Sequence, residues 1–163
     1  MVIKSFSKIN LSLKINFKSK KKGLHEIQSL YCLINLFDKI EILKIKRNKD
    51  EITFKGPFAK LVKKENNSIR KLLEKLRMLK LISGYYSIAV TKNIPVFGGL
   101  GGGTSNAAFI LKFLLKNKIN YKLLDKLEKT VGSDLKLFFV KQGFLKDLNT
   151  IIKFKKKHAL YFI

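Results

Sequence analysis

The stretch that decides the fold lies in the middle of the chain and reads Pro95-Val96-Phe97-Gly98-Gly99-Leu100-Gly101-Gly102-Gly103-Thr104-Ser105-Asn106-Ala107-Ala108. Five glycines fall within positions 98 to 103, and the apolar residues that follow have helical spacing. Because glycine has no side chain, successive backbone N–H groups can converge on an anion where the helix begins, and the helix dipole favours negative charge there. The stretch therefore predicts a phosphate-binding loop that opens into a buried helix.

Two familiar phosphate loops do not fit this spacing. A Walker A loop needs a lysine, and none follows Gly103, while a G-x-G-x-x-G pattern started at Gly99 and Gly101 reaches Thr104 in place of its last glycine. Thr104 and Ser105 add hydroxyls at the helix start that can reach phosphate oxygens or a bound Mg²⁺. The alternative is a flexible glycine hinge, which costs backbone entropy at each glycine.

The residues before the loop predict a sheet and one helix. Apolar and polar residues alternate from 9 to 17, the period of a half-buried strand, and apolar patterns at 30–36 and 40–45 predict strands that pair with it. A short strand is expected at 51–54, closed by the Gly56-Pro57 turn. Helical spacing from 67 to 82 predicts a helix with Asn67 or Ser68 as its N-cap and Gly84 as its stop, followed by a strand at 86–90.

The residues after the loop add helices and two ambiguous segments. The nearly all-apolar segment 107–115 predicts a buried helix, and a second helix is expected at 123–129. Segments 134–140 and 150–154 fit either a strand or a helix. There is no internal repeat and no linker, so the expected fold is a single α+β unit in which helices cover a mostly antiparallel sheet.

The charge of the chain raises a second possibility, nucleic-acid binding. The 163 residues include 35 Lys and Arg against 11 Asp and Glu, a net charge of +24, while a hydrophobic content of 46% excludes a disordered tail. Arginines number only three, and the lysines are dispersed rather than interleaved with aromatic residues that stack on bases. The composition is typical of an AT-rich genome, and nucleic-acid binding is the less favoured interpretation.

The chain lacks the features of a secreted or membrane protein. Cys32 is its single cysteine, which excludes a disulfide framework and a cysteine-based zinc site. The first residues contain no continuous apolar segment of a signal peptide, and no apolar run reaches the roughly 18 residues of a membrane span. We expect a soluble, cytoplasmic protein with no membrane partner.

Four segments in order resemble the GHMP kinases. The first is Ser7-Lys8-Ile9-Asn10-Leu11-Ser12-Leu13, the second is Gly23-Leu24-His25-Glu26-Ile27-Gln28-Ser29-Leu30, the third is the glycine loop at 95–108, and the fourth is Gly132-Ser133-Asp134. Within the family they are similar to the members that phosphorylate the 2-hydroxyl of 4-diphosphocytidyl-2-C-methyl-D-erythritol. Four ordered matches over nearly the whole chain are far more specific than a single glycine run.

The resemblance implies a fold and an activity. The fold is the ATP-binding N-terminal lobe of a GHMP kinase, like ribosomal protein S5 domain 2, over residues 1–163, with the C-terminal lobe absent from this chain. The activity is transfer of a phosphoryl group from ATP, with Mg²⁺ as the expected metal, in non-mevalonate isoprenoid synthesis. A separately encoded second lobe is a candidate partner. The alternatives are a truncated, inactive remnant that still binds ATP and a nucleic-acid binder on an S5-like fold.

The resemblance also implies roles for individual residues. Asp134 corresponds to the general base, and Lys8 orients it and offsets developing negative charge. Asn10 and His25 correspond to substrate contacts, while no residue is assigned to a metal. Taken alone, Asp134 also fits a helix N-cap, and His25 fits a surface histidine. The residues assigned to ATP are Pro95, Gly98, Gly99, Leu100, Gly101, Gly102, Gly103, Thr104, Ser105 and Asn106 of the loop, with Asn67 and Lys92 near the adenine.

Overall fold

The computed structural model describes residues 1–18, 25–63, 65–147, 150–154 and 159. Within these ranges the chain forms six strands and three α-helices. The strands are β1 (Val2–Lys18), β2 (His25–Ile45), β3 (Glu51–Lys55), β4 (Tyr85–Thr91), β5 (Gln142–Leu145) and β6 (Ile151–Lys153). The helices are α1 (Ser68–Met78), α2 (Gly102–Leu115) and α3 (Tyr121–Val131). None of these helices combines the length and the apolar content needed to cross a bilayer.

The sheet is organised around the long strand β2. Its first half pairs with β5 and its second half with β4, so that these two strands follow one another along one edge, while β1 runs along the other edge. The full order is β3-β4-β2-β5-β6, with β1 paired to β2. Only the β3–β4 pair is parallel in the described part of the chain, so the predicted α+β fold with a mostly antiparallel sheet is confirmed.

The core lies between the three helices and one face of the sheet. Alternate residues of β4 are buried, as expected for a strand with one face covered. Helix α2 is buried over most of its length, as its apolar sequence predicted. Fully buried side chains from every layer meet in this core: Ile40, Ile88, Leu72, Leu111 and Leu127.

Strand β1 is longer than predicted, and its far end is not half-buried. Leu11, Leu13 and Ile15 are 39%, 51% and 60% exposed, because the helices cover the sheet only as far as the first half of the strand. A register shift between Asn10 and Ser12 marks the point where β1 leaves the covered region. The alternation of apolar and polar residues therefore identified the strand correctly. The predicted burial of its apolar side is wrong for the end of the strand beyond Asn10.

The ends of α1 and the two ambiguous segments are settled by local geometry. Asn67 is the N-cap, since its side chain accepts a hydrogen bond from the backbone of Arg70. The helix ends at Met78 rather than continuing toward Gly84, because Lys80 adopts a positive φ of 55° that turns the chain. Segment 134–140 contains a short 3₁₀ helix, Leu135–Phe139, and segment 150–154 contains β6.

A buried carboxylate fixes the exit from β4 that leads to the glycine loop. Asp38 of β2 is fully buried and forms an ion pair with Lys92, which is also buried. The backbone N–H groups of Asn93 and Ile94 donate to its other oxygen at 2.8 and 2.9 Å. One side chain thus satisfies a buried cation and two buried donors, and it holds the start of the loop against the centre of the sheet.

We predict that Asp38→Ala lowers the free energy of unfolding by about 3–5 kcal/mol, because it leaves the Lys92 ammonium buried without a counter-charge. Glu41→Ala on the same strand is the matched control, since Glu41 pairs at 3.4 Å with Lys55 and both side chains are more than half exposed. That change is expected to cost less than about 1 kcal/mol. Urea unfolding followed by circular dichroism measures both, and equal effects would contradict the prediction.

Candidate functional site

The glycine loop has a backbone that side chains would not permit. Gly99 and Gly101 have φ values of +70° and +67°, and Gly101 is the N-cap of α2. A Cβ on Gly101 would lie 2.8 Å from the Cζ atom of Phe138, so the loop has no room for one. The first turn of α2 therefore presents backbone N–H groups that have no partner within the helix, as predicted for a phosphate cradle.

The loop borders an open cavity of about 480 Å³. Helix α1 contributes the opposite wall through its N-terminal residues Asn67 to Ile69. Asn106 also lines the cavity, and its buried Oδ1 atom has no hydrogen-bond partner among the described residues. The cavity brings together the following predicted ATP residues: Asn67, Lys92, Pro95, Gly98, Gly99, Leu100, Gly101, Gly102, Gly103, Thr104 and Asn106.

Ser105 is the exception among the predicted loop residues. It is fully buried and does not line the cavity. Its hydroxyl donates to the carbonyl of Phe6 at 2.5 Å and lies 2.7 Å from the hydroxyl of Ser5, so it fastens α2 to β1. In this structure Ser105 supports the helix from behind, and its contact with a ligand phosphate stays a prediction.

Lys8, Asn10 and Asp134 meet beside the loop, as the resemblance implied. The Lys8 Nζ atom lies 3.3 Å from Asp134 Oδ2 and donates to Asn10 Oδ1 at 3.1 Å. The backbone N–H of Lys8 donates to the carbonyl of Leu100 at 3.1 Å, which holds β1 directly against the glycine loop. Lys8 is buried, whereas the Asp134 side chain is 34% exposed and remains within reach of a ligand.

Asp134 does not act as a helix cap. It precedes the 3₁₀ helix Leu135–Phe139, but its side chain makes no capping hydrogen bond. The preceding Gly132 has a φ of +147°, and a Cβ there would lie 2.5 Å from the Thr104 hydroxyl oxygen. This close contact brings the Gly132–Asp134 segment against the first turn of α2 and directs the carboxylate to the loop.

Lys92 and Asn67 line the cavity while their polar groups already have protein partners. The Lys92 ammonium pairs with Asp38, and the Asn67 side chain caps α1. Both residues lie where their backbone or the apolar part of their side chains could touch a ligand in the cavity. His25 begins β2 opposite Lys18, but its side chain lies outside the described part of the structure, so its substrate contact stays a prediction.

Sequence reasoning missed two residues that shape the site. Phe138 sets the space around Gly101, and Asp38 holds the start of the loop. A signal for Asp38 was present, since this carboxylate lies with Lys39 inside a segment whose flanking residues, Leu36, Phe37 and Ile40, are apolar. A buried charge in such a run needs partners, and this one recruits a lysine and two backbone donors.

Comparison with known proteins finds a matching family model and similar kinases. Residues 60–135 match the model of the GHMP kinases N terminal domain. The 4-diphosphocytidyl-2-C-methyl-D-erythritol kinase of Ureaplasma parvum is 33% identical over 99% of this chain and 64% of its own length. The enzyme of the same name from Pelagibacter ubique is 39% identical over 93% of this chain and 57% of its own length. The chain thus spans less than two thirds of these relatives.

Two of the solved structures with similar folds are also kinases. A crystal structure of 4-(cytidine 5'-diphospho)-2C-methyl-D-erythritol kinase superposes with a TM-score of 0.66 at 26% identity, covering 94% of this chain and 54% of that one. A homoserine kinase from Cytophaga hutchinsonii, at 18% identity and a TM-score of 0.62, shares the fold over 93% of this chain and 51% of its own. The matched segment and the architecture together show that the chain has the fold of a GHMP kinase N-terminal domain.

Proposed function

We propose that this chain provides the nucleotide site and the catalytic pair of a kinase that phosphorylates the 2-hydroxyl of 4-diphosphocytidyl-2-C-methyl-D-erythritol with ATP. The observation that carries the proposal is the position of Lys8 and Asp134 at the glycine loop. A Cβ on Gly101 would lie 3.4 Å from both Asp134 Oδ2 and Lys8 Cγ. A cation and a carboxylate therefore stand at the place where the loop would hold phosphates.

The loop and helix α2 supply the charge stabilisation that phosphoryl transfer requires. Catalysis of this reaction rests on positioning and on neutralising the charge of the transferred group more than on covalent chemistry. The N–H groups of the first turn of α2 and the helix dipole favour phosphate oxygens, and the Lys8 ammonium adds a full positive charge beside them. Because Lys8 is buried and held by two partners, this charge is fixed before a ligand binds.

Asp134 is placed to accept the proton of the acceptor hydroxyl. As that proton moves to a carboxylate oxygen, the hydroxyl oxygen forms a bond to the γ-phosphorus, and the bond from the γ-phosphorus to the bridging oxygen breaks to release ADP. Lys8 stabilises the negative charge that develops on the attacking oxygen. Asn10 fixes the Lys8 side chain from the other side at 3.1 Å and lies where the acceptor would approach.

Mg²⁺ fits this site as an ion bound mainly through the nucleotide. The described residues contain no cluster of three or more His, Cys, Asp or Glu side chains. Mg²⁺ usually takes one or two protein oxygens, with phosphates and water completing its shell. The Thr104 hydroxyl in the first turn of α2 is the oxygen donor that would hold it at the loop, where it would neutralise phosphate charge.

The proposed acceptor follows the names of the relatives, and the proposed cellular setting follows the free thiol of the chain. Two curated kinases of this specificity align with 93% or more of the chain, which supports the same acceptor here. His25 remains the proposed contact to the cytosine ring. We propose a cytoplasmic enzyme, in keeping with a buried free thiol at Cys32, and a second lobe as the partner that completes the cleft.

We predict that Asp134→Asn lowers the rate of phosphoryl transfer by about 10²- to 10⁴-fold, since the amide cannot accept the hydroxyl proton. ATP affinity should change by less than about threefold, because the phosphate cradle is intact. Asp125→Asn, which alters a carboxylate that is 60% exposed on α3, is the matched control. ADP release and nucleotide titration measure both quantities. An unsubstituted chain that binds ATP without turnover would support the inactive remnant, and full activity in Asp134→Asn would remove the base assignment.

We predict that Gly101→Ala weakens ATP binding by about tenfold or more, because the new Cβ meets Phe138 at 2.8 Å and the φ of +67° is strained for alanine. Gly99→Ala is the matched control, since its φ is +70° but nothing lies within 4 Å of its Cβ position. It should have the smaller effect. Combining Gly101→Ala with Phe138→Leu should restore part of the affinity. Equal losses in the two glycine variants would show that crowding by Phe138 is not the cause.

A further inference from the structure

A second, larger cavity lies on the other side of Phe138 from the glycine loop. Its volume is about 740 Å³, within the range of sites for small organic ligands. Helix α2, the 3₁₀ helix Leu135–Phe139 and strands β1, β2 and β5 all contribute to its walls. Five of the lining residues are phenylalanines: Phe6, Phe109, Phe138, Phe139 and Phe154.

Lys112 projects its ammonium group into this aromatic lining. Its Nζ atom lies 4.5 Å from the ring centre of Phe109 and 4.8 Å from that of Phe139. It donates to the carbonyl oxygen of Phe138 at 2.5 Å. Cations stack favourably over aromatic rings, but an ammonium has three donors, and one neutral acceptor does not balance its charge.

The fully buried lysines each have a carboxylate partner, whereas Lys112 is half-buried. Lys8, Lys92 and Lys136 are at most 6% exposed, and they pair with Asp134, with Asp38, and with both Asp125 and Glu128, respectively. Burial of a charge normally requires such a partner. Among the described residues, by contrast, no carboxylate lies within ion-pair distance of Lys112.

The positive charge at this cavity is concentrated further by two other lysines. Lys141 and Lys153 line the same cavity and, like Lys112, form no ion pair with any residue that the structure describes. Burial, with a contribution from Lys141, lowers the pKa of Lys112 to about 8. For Lys136, burial acts in the same direction, but hydrogen bonds to Asp125 and Glu128 outweigh it and raise the pKa.

We propose that this cavity binds a small organic anion, a carboxylate or phosphate carried on an apolar body, with the Lys112 ammonium as its counter-charge and the phenyl rings around its body. The bound anion would accept a charge-assisted hydrogen bond from Lys112 and would balance its charge, while Lys141 and Lys153 attract the anion at the rim of the cavity. The ring surfaces match a flat aromatic or a hydrocarbon body. This binding does not depend on the kinase activity proposed above.

The proposal is tested by titrating the chain with 2-naphthoate, 2-naphthyl phosphate and the neutral isostere 2-naphthamide, using calorimetry. We expect both anions to bind at least about tenfold more tightly than the amide, and their ratio distinguishes a carboxylate site from a phosphate site. Lys112→Met should lower anion affinity by about tenfold or more, whereas Lys112→Arg should retain it. Lys126→Met, which removes an exposed lysine of α3, is the matched control and should bind normally.

Three outcomes overturn the proposal: no binding of either anion, equal binding of the amide, and equal losses in the Lys112 and Lys126 variants, which would indicate general attraction to a chain of charge +24. A second measurement uses the unsubstituted chain and so does not depend on the folding of a variant. Acetylation at pH 8, followed by mass spectrometry, should modify Lys112, and a saturating anion should protect Lys112 but not Lys126. Equal protection of the two lysines, or none, contradicts the assignment.

Discussion

The absence of a side chain at Gly101 is the constraint on which the site depends. Gly101 is the N-cap of α2, and a methyl group there would collide with the Phe138 ring at 2.8 Å and would touch the Lys8 stem and the Asp134 carboxylate at 3.4 Å. The phosphate loop, the proposed base and its lysine are therefore held in one geometry by packing around a glycine. Close packing transmits any displacement at such a point, because the neighbours have no free space to absorb it.

Carboxylates are scarce in this chain, and the fold uses several of them to neutralise buried lysines. Only 11 acidic residues face 35 basic ones, yet Asp38 and Asp134 each pair with a lysine that is almost completely buried. Each pair also ties together segments distant in sequence, since Asp38 joins β2 to the loop and Asp134 joins the 3₁₀ segment to β1. The large net charge is thus a property of the surface, while the interior balances its charges locally. Lys112 is half-buried, and no carboxylate among the described residues pairs with it.

Much of the secondary structure was predictable from local sequence patterns, whereas the contacts between the elements were not. The alternation in β1, the capping Asn67 and the glycine run at 98–103 specified their elements, because each signal acts over a few residues. The exposure of Leu13 and the inward turn of Ser105 were not predictable in this way, since they depend on which part of the sheet α2 covers. The pairing of Lys8 with Asp134 was accessible only through family resemblance, as 126 positions separate them in the chain.

The described structure is most tightly connected at the glycine loop and most open along the far end of β1. Lys8 is fixed by a backbone hydrogen bond to Leu100 and by its side-chain contacts with Asn10 and Asp134, so the reacting end has several independent anchors. Beyond Asn10, register places Leu13 and Ile15 on the same face of β1, where they expose apolar surface. If the chain has the function proposed above, an open apolar face next to a rigid loop would let acceptor recognition change without disturbing Lys8 and Asp134.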